Sequence, residues 1–216
     1  MTEKFITELD GLKNDLAAMG TLAAWMLRGS IRALKDHDLG LAREVMARKT
    51  SLAGMDVSIE EKALRLIALY QPVARDLRTI ACVLKMETYL NRVGRYGKDI
   101  AAVAVEIGDR PHIAKLVSIP HMSDIAAGMV DDALRAFVTG NLKLVEGFSD
   151  KDDALDSMRW SIFRECVTYM IEEPKNITIC AHYIMIARYL ERVADHACKM
   201  AEKIHYMVTG EHIEIR

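Results

Sequence analysis

The sequence predicts an all-α chain of two tandem three-helix bundles, and three observations carry that expectation. Hydrophobic residues make up 51% of the 216 residues while Pro and Gly number only 4 and 12, which excludes disordered, collagen-like and turn-rich all-β classes. The breakers stand far apart, at Pro72, Gly108-Asp109-Arg110-Pro111, Pro120, Gly140-Asn141 and Pro174, and divide the chain into long runs of helix formers. Within those runs apolar residues recur at three- and four-residue steps, the spacing that lays one continuous stripe along a helix face.

The first helix is expected over Thr2 to Leu34, with Leu9, Leu12, Leu16, Met19, Leu22, Ala23 and Met26 on its stripe. Asp38 is placed to cap the second, which runs from Leu39 through Val45, Leu52, Ile59, Leu66 and Leu69 to about Tyr70. There Pro72, lacking an amide hydrogen, biases Gln71 away from the helix. The third takes Val73, Leu77, Ile80, Leu84, Leu90, Val93 and Ile100 inward and ends before Gly108. After Pro120 the plan repeats: a helix through Met129, Leu134 and Phe137, a break at Gly140-Asn141, a helix through Leu144, Leu155, Ile162 and Met170, and a last helix from Ile177 to Val208. Pro174 takes the role of Pro72, and Gly210 stands where a left-handed terminator belongs.

The halves align twice in the same order. Arg32-Ala33-Leu34-Lys35-Asp36-His37-Asp38-Leu39 matches Arg135-Ala136-Phe137-Val138-Thr139-Gly140-Asn141-Leu142, and Tyr89-Leu90-Asn91-Arg92-Val93 matches Tyr189-Leu190-Glu191-Arg192-Val193. The chain is therefore expected to divide into bundles at 1–107 and 112–210. With 29 basic and 31 acidic residues, the charge of −2 argues against nucleic acid or a polyanionic surface as a partner. The four cysteines, Cys82, Cys166, Cys180 and Cys198, form no C-x-x-C pair, and the acidic start is unlike a signal peptide, so reduced thiols in the cytoplasm are expected. Charges interrupt every apolar run before bilayer-spanning length, which leaves only a peripheral membrane role.

Gln71-Pro72-Val73-Ala74-Arg75-Asp76-Leu77-Arg78 in the first half and Leu190-Glu191-Arg192-Val193-Ala194-Asp195-His196-Ala197 in the second resemble the PhoU family of bacterial and archaeal phosphate-uptake regulators. The resemblance extends to Asp15-Leu16-x-x-Met19-Gly20, to Ala33-Leu34-x-x-x-Asp38-x-x-Leu41-Ala42 and to the Tyr206-x-x-x-Gly210 ending, and so covers nearly the whole chain. It implies two three-helix bundles related by a pseudo-twofold axis. It also implies a negative regulator that couples the phosphate ABC transporter, through its ATPase, to a sensor histidine kinase, and that pairs with a second copy of itself. Arg75, Asp76 and Arg78 become candidates for a contact surface, with interhelical ion pairing as the alternative.

The resemblance further implies metal held by acid-x-x-x-Asp pairs. Residues four apart share a helix face, so Asp152 with Asp156 and Glu191 with Asp195 each present two carboxylates in one direction. On neighbouring helices the four repel one another until a cation binds or a proton is taken up. All-oxygen ligation favours iron, manganese or magnesium over zinc. The alternative is a solvated face in which Arg188 and Lys199 complete ordinary ion pairs. In the first half the aligned positions hold Asn91, Arg95, Lys49 and Ala53, so the metal site is expected in the second bundle only. Asp56 and Glu60 form an acid pair there, but no acid on the third helix is expected to face them, which leaves a solvated face or an ion pair with Arg95. Charge agrees in sign: residues through Glu106 carry 16 basic and 14 acidic side chains, the remainder 13 and 17.

Two other readings are weighed against this one. A ferritin-like di-metal enzyme needs Glu-x-x-His on two helices, and the chain has it once, at Glu202 and His205. No phosphate loop or nucleophile motif is present, so no enzyme is expected. A metal-free helical adaptor, or an accessory to a different transporter, stays open. The methionines, Met185 among them, and Trp25 and Trp160 are assigned to packing.

Overall fold

In the computed structural model residues 3–113 and 118–215 are described, and among them every regular element is helical. The chain runs α1 (Glu3–Asp36), α2 (Leu39–Ala47), α3 (Lys49–Tyr70), α4 (Ala74–Ile107), α5 (Ser118–Thr139), α6 (Phe148–Glu172) and α7 (Ile177–Thr209), with short 3₁₀ turns at Leu142–Val145 and Pro174–Asn176. The expected start at Thr2 lies outside the described residues.

The predicted single second helix is two. Arg48 is shared as the end of α2 and the start of α3, and its amide bonds to both Glu44 O (3.3 Å) and Val45 O (3.2 Å), the tightened pattern of a 3₁₀ turn. No Gly or Pro marks the place, so periodicity passes through it. The predicted cap is present: the Asp38 side chain accepts from the Leu41 amide at 2.9 Å. Gln71 ends α3 in the left-handed region (φ 45°), because Pro72 cannot continue the hydrogen-bond ladder. Gly210 ends α7 at φ 83°, as its position predicts. Pro120 lies inside the first turn of α5, where its missing amide hydrogen leaves no bond unmade.

Helices α1, α4, α7 and α5 pack in a closed ring of neighbours, α1 on α4, α4 on α7, α7 on α5 and α5 on α1. Against that central layer α2 and α3 cover one flank and α6 the other. The two halves thus share one core instead of enclosing two separate ones. The pseudo-twofold is visible in aromatic contacts between α4 and α7: Tyr89 stacks on His196 at 5.5 Å, Tyr96 stacks on Tyr189 at 5.3 Å, and Tyr96 faces His196 at 6.0 Å. Tyr89 aligns with Tyr189 and Tyr96 with His196, so the first two contacts are symmetry mates and the third lies on the axis.

Most predicted stripe residues are buried, including Leu12, Leu16, Met19 and Met26 on α1 and Leu155 and Ile162 on α6. The exceptions cluster. Leu69, Val73 and Leu77 flank the Pro72 turn and are exposed, as are Trp160 and Met185, all expected inside. The central layer stops short of the Pro72 turn, so apolar residues there have nothing to pack on. Arg78 is drawn into the fold: it lies over the Tyr206 ring and donates from Nε to Met207 O at 3.5 Å, beside the end of α7.

A close approach of backbone to backbone limits what the core tolerates. A Cβ on Gly97 would lie 2.7 Å from Met26 C and 2.8 Å from Leu27 N, the backbone of α1, which has no room to yield. Gly97→Ala should therefore lower stability by about 1–3 kcal/mol despite its better helix propensity. Gly54→Ala, with open space around it, should raise stability by up to about 1 kcal/mol. Urea denaturation of both variants checks the pair.

Candidate functional site

Helices α6 and α7 run antiparallel, with Phe148 at the start of α6 beside Cys198. That register brings Asp152 and Asp156 on α6 to the face of α7 carrying Glu191 and Asp195. Burial pushes the Asp152 carboxyl up to about 6, and Asp195, Asp156, Glu191 and Asp153 add their repulsion in that order. All four predicted residues thus meet electrostatically. Asp156 is exposed, Asp152 and Asp195 are half-buried, and Glu191 is only 7% exposed.

Glu191 is the focus of the site. It pairs with Arg188 one turn earlier, with Arg159 Nε of α6 at 3.9 Å and with Arg192 Nε at 4.0 Å. Arg192 also donates to Asp195 at 2.8 Å. Burial still holds the Glu191 carboxyl above its usual range, outweighing the arginines. Its Oε2 is buried without a hydrogen-bond partner, as is Arg159 Nε. The expected pair of Asp195 with Lys199 is replaced: Lys199 bonds Glu202 at 2.8 Å. Among the described residues no three His, Cys, Asp or Glu side chains stand close enough in this geometry to grip an ion. The carboxylates are near enough to repel one another, and Glu191 is paired with arginines instead.

The first bundle corrects the sequence reading. Lys49, Ala53, Asn91 and Arg95 do replace the acids, but Asp56 and Glu60 have a partner on α4 after all. It is Glu87, 6% exposed, with Oε2 buried and unbonded. Asn91 Nδ2 donates to Asp56 Oδ2 at 2.7 Å, and no ion pair joins Arg95 to either acid among the described residues. Burial, then Asp56, then Glu60 push the Glu87 carboxyl up to about 7. Repeat alignment hides Glu87 because its counterpart is Ala187; the spacing Glu87-x-x-x-Asn91, one turn before the aligned positions, is the signal that finds it.

The remaining constellations have structural uses. Glu202 is buried and accepts from Lys199 and from the Ile215 amide at 3.1 Å, while His205 Nδ1 lies 3.0 Å from Glu211 O. This spacing ties down the tail beyond α7. His196 turns away from the acids into the aromatic contacts of α4, where burial first and Arg92 second push its imidazole down to about 4. The side chains of all four cysteines are buried.

Glu87 carries a pH dependence with a definite sign. Its folded value of about 7 lies above its ordinary 4.5, so the folded chain holds the proton more tightly, and stability falls as pH rises between those values. Glu87→Gln should raise stability relative to the parent by about 2–3 kcal/mol at pH 8 and by little near pH 4.5. Thermal melts across that range check it; a pH-independent difference contradicts it.

Comparison with known proteins follows the same duplication. The family model described as the PhoU domain matches twice, over residues 16–104 and 119–204. The chain is 36% identical to the phosphate-specific transport system accessory protein PhoU homolog of Rhizobium meliloti, over 95% of this chain and 87% of that protein. It is equally identical to the protein of the same description from Caulobacter vibrioides, over 95% and 90%. The crystal structure of PhoU from Pseudomonas aeruginosa superposes with a TM-score of 0.91 at 32% identity, covering 96% of this chain and 100% of that one. The Streptococcus pneumoniae protein shares the fold, with a TM-score of 0.88 at 23% identity, over 97% and 99%.

Proposed function

Because the chain belongs to the PhoU family, we propose that it is an accessory protein of phosphate uptake, an adaptor through which a phosphate ABC transporter, by its ATPase, restrains a sensor histidine kinase. The observation that carries this reading is the match of the PhoU domain to both halves, joined to relatives named as phosphate-specific transport accessory proteins along nearly their whole length. The family consists of non-enzymatic accessory and regulatory proteins, and this chain is one of them. No helix among the described residues is long and apolar enough to cross a membrane. On this reading, contact with the membrane runs through the transporter.

The surface supports an adaptor with two similar ends. Leu69 and Val73 flank the Pro72 turn at 65% and 68% exposure, and Ile171 and Ile177 flank the Pro174 turn at 77% and 51%. Apolar groups of this size left in water around both turns offer a face to each of two partners. A second copy of the chain is a further partner in this account.

The second bundle would also hold a metal ion. Asp152, Asp156, Glu191 and Asp195 supply only carboxylate oxygens, the donor set of a hard ion such as iron, manganese or magnesium. The buried, unbonded Oε2 of Glu191 is the group such an ion would satisfy. Those four residues, on α6 and α7, would hold the ion, and its positive charge would offset their mutual repulsion. One observation favours the metal-free alternative: Arg188 and Arg159 already pair with Glu191.

The adaptor reading is tested by pull-down of the transporter ATPase with the full chain under phosphate-replete conditions. Stoichiometric retention is expected, and Val73→Asp with Ile171→Asp should weaken it at least about tenfold. No retention by the parent chain contradicts the phosphate-transporter assignment and favours an accessory to another system.

A further inference from the structure

The position equivalent to the carboxylate site carries the opposite chemistry in the first bundle. Along α4 a groove of about 400 Å³ is lined by Thr88, Asn91, Arg92, Arg95, Tyr96 and Asp99. Asn91 and Arg95 stand where Glu191 and Asp195 stand in α7. Lys49, at the start of α3, is the counterpart of Asp152. Leu52, one turn beyond Lys49, packs on Gly94 beside Arg95, so α3 and α4 meet here as α6 and α7 do. We propose that this groove binds a small phosphoryl-bearing anion, free or esterified.

Arg92 and Arg95 are the reason. Several arginines of these helices have carboxylate partners: Arg28 pairs with Asp131, Arg188 and Arg159 with Glu191, and Arg192 with Asp195. Arg92 and Arg95, three residues apart on one face, have no ion pair or hydrogen bond among the described residues. The acid that lines the groove, Asp99, pairs with Lys98, and nearby Asp56 takes the Asn91 amide. Arg92 also faces His196 of α7, where, after burial, its charge disfavours the protonated imidazole.

The ligand class follows from the donors. One guanidinium fork satisfies one carboxylate, whereas two guanidinium groups lining the same groove supply the charge and donors for a dianion whose several oxygens can engage both. Thr88 and Asn91 add neutral polar groups at the rim, and the volume suits a small molecule more than a macromolecular segment. The metal site of the second bundle plays no part in this argument.

Titration calorimetry of the full chain with inorganic phosphate, inorganic pyrophosphate and ATP in turn, at constant ionic strength and with sodium sulfate as control, tests the site. Saturable one-to-one binding of at least one phosphoryl probe is expected. The double variant Arg92→Ala, Arg95→Ala should weaken it at least about tenfold, and Arg95→Lys less, because charge remains while the fork is lost. Arg164→Ala, an exposed arginine of α6, should leave it unchanged and controls for net charge. Binding of phosphate or pyrophosphate identifies a free anion as the ligand, and binding of ATP alone identifies an ester. No saturable binding by any probe, equal binding of sulfate, or full affinity in a double variant with unchanged circular dichroism overturns the proposal.

Discussion

The packing of α4 against α7 is the constraint on which the rest of the molecule depends. Tyr89 on His196 and Tyr96 on Tyr189 repeat one contact across an axis that passes between Tyr96 and His196. Because both helices spend one face on each other and another on α1 or α5, each has a single face left for its outer helix. That face receives α3 in the first bundle and α6 in the second. It is where each half gathers its buried charge: Glu87 with Asp56 and Glu60, and Glu191 with Arg159. Charged groups at these seams are too enclosed for water to screen fully and too near the surface to be excluded from ions.

The duplicated frame carries two different surfaces. In α6 and α7, Asp152, Asp156, Glu191 and Asp195 face one another, with repulsion relieved in part by Arg188, Arg159 and Arg192. At the matching places the first bundle has Lys49 on α3 and Arg95 on α4, with Arg92 and Arg95 lining a groove, while the α3 acids Asp56 and Glu60 stand seven residues further along and meet Glu87, one turn before Asn91. A duplicated fold keeps its backbone because the central layer requires it, and the outer seams, which contribute less to the shared core, are free to differ. In the proposed adaptor this gives two seams of like backbone and unlike charge, apart from the apolar ends at the Pro72 and Pro174 turns.

Much of this was legible in the sequence, for physical reasons that also explain what was not. Helix ends marked by Pro72, Pro174, Gly210 and the Asp38 cap follow from backbone chemistry local to those residues. The break at Arg48 does not, because nothing in its side chain forbids a helix. Periodicity identified the stripe from Leu9 to Met26, which packs along its whole length. It failed at Val73 and Leu77, since a stripe extends past the end of the layer that covers it. The carboxylates of the second half were named through the family resemblance, with their four-residue spacing placing each pair on one helix face; Glu87 was missed because its register is shifted one turn and its repeat counterpart is Ala187. The α6 partner of Glu191, Arg159, depends on the antiparallel register of α6 and α7, which only the fold supplies.

The central claim is that one frame holds a cation-binding seam in its second half and an anion-friendly one at the matching place in its first. Anomalous diffraction from crystals soaked in manganese tests it most directly. The account predicts an anomalous peak enclosed by Asp152, Asp156, Glu191 and Asp195, and none between Lys49 and Arg95. A peak between Lys49 and Arg95, or no peak at the α6 and α7 carboxylates in fully soaked crystals, would contradict it.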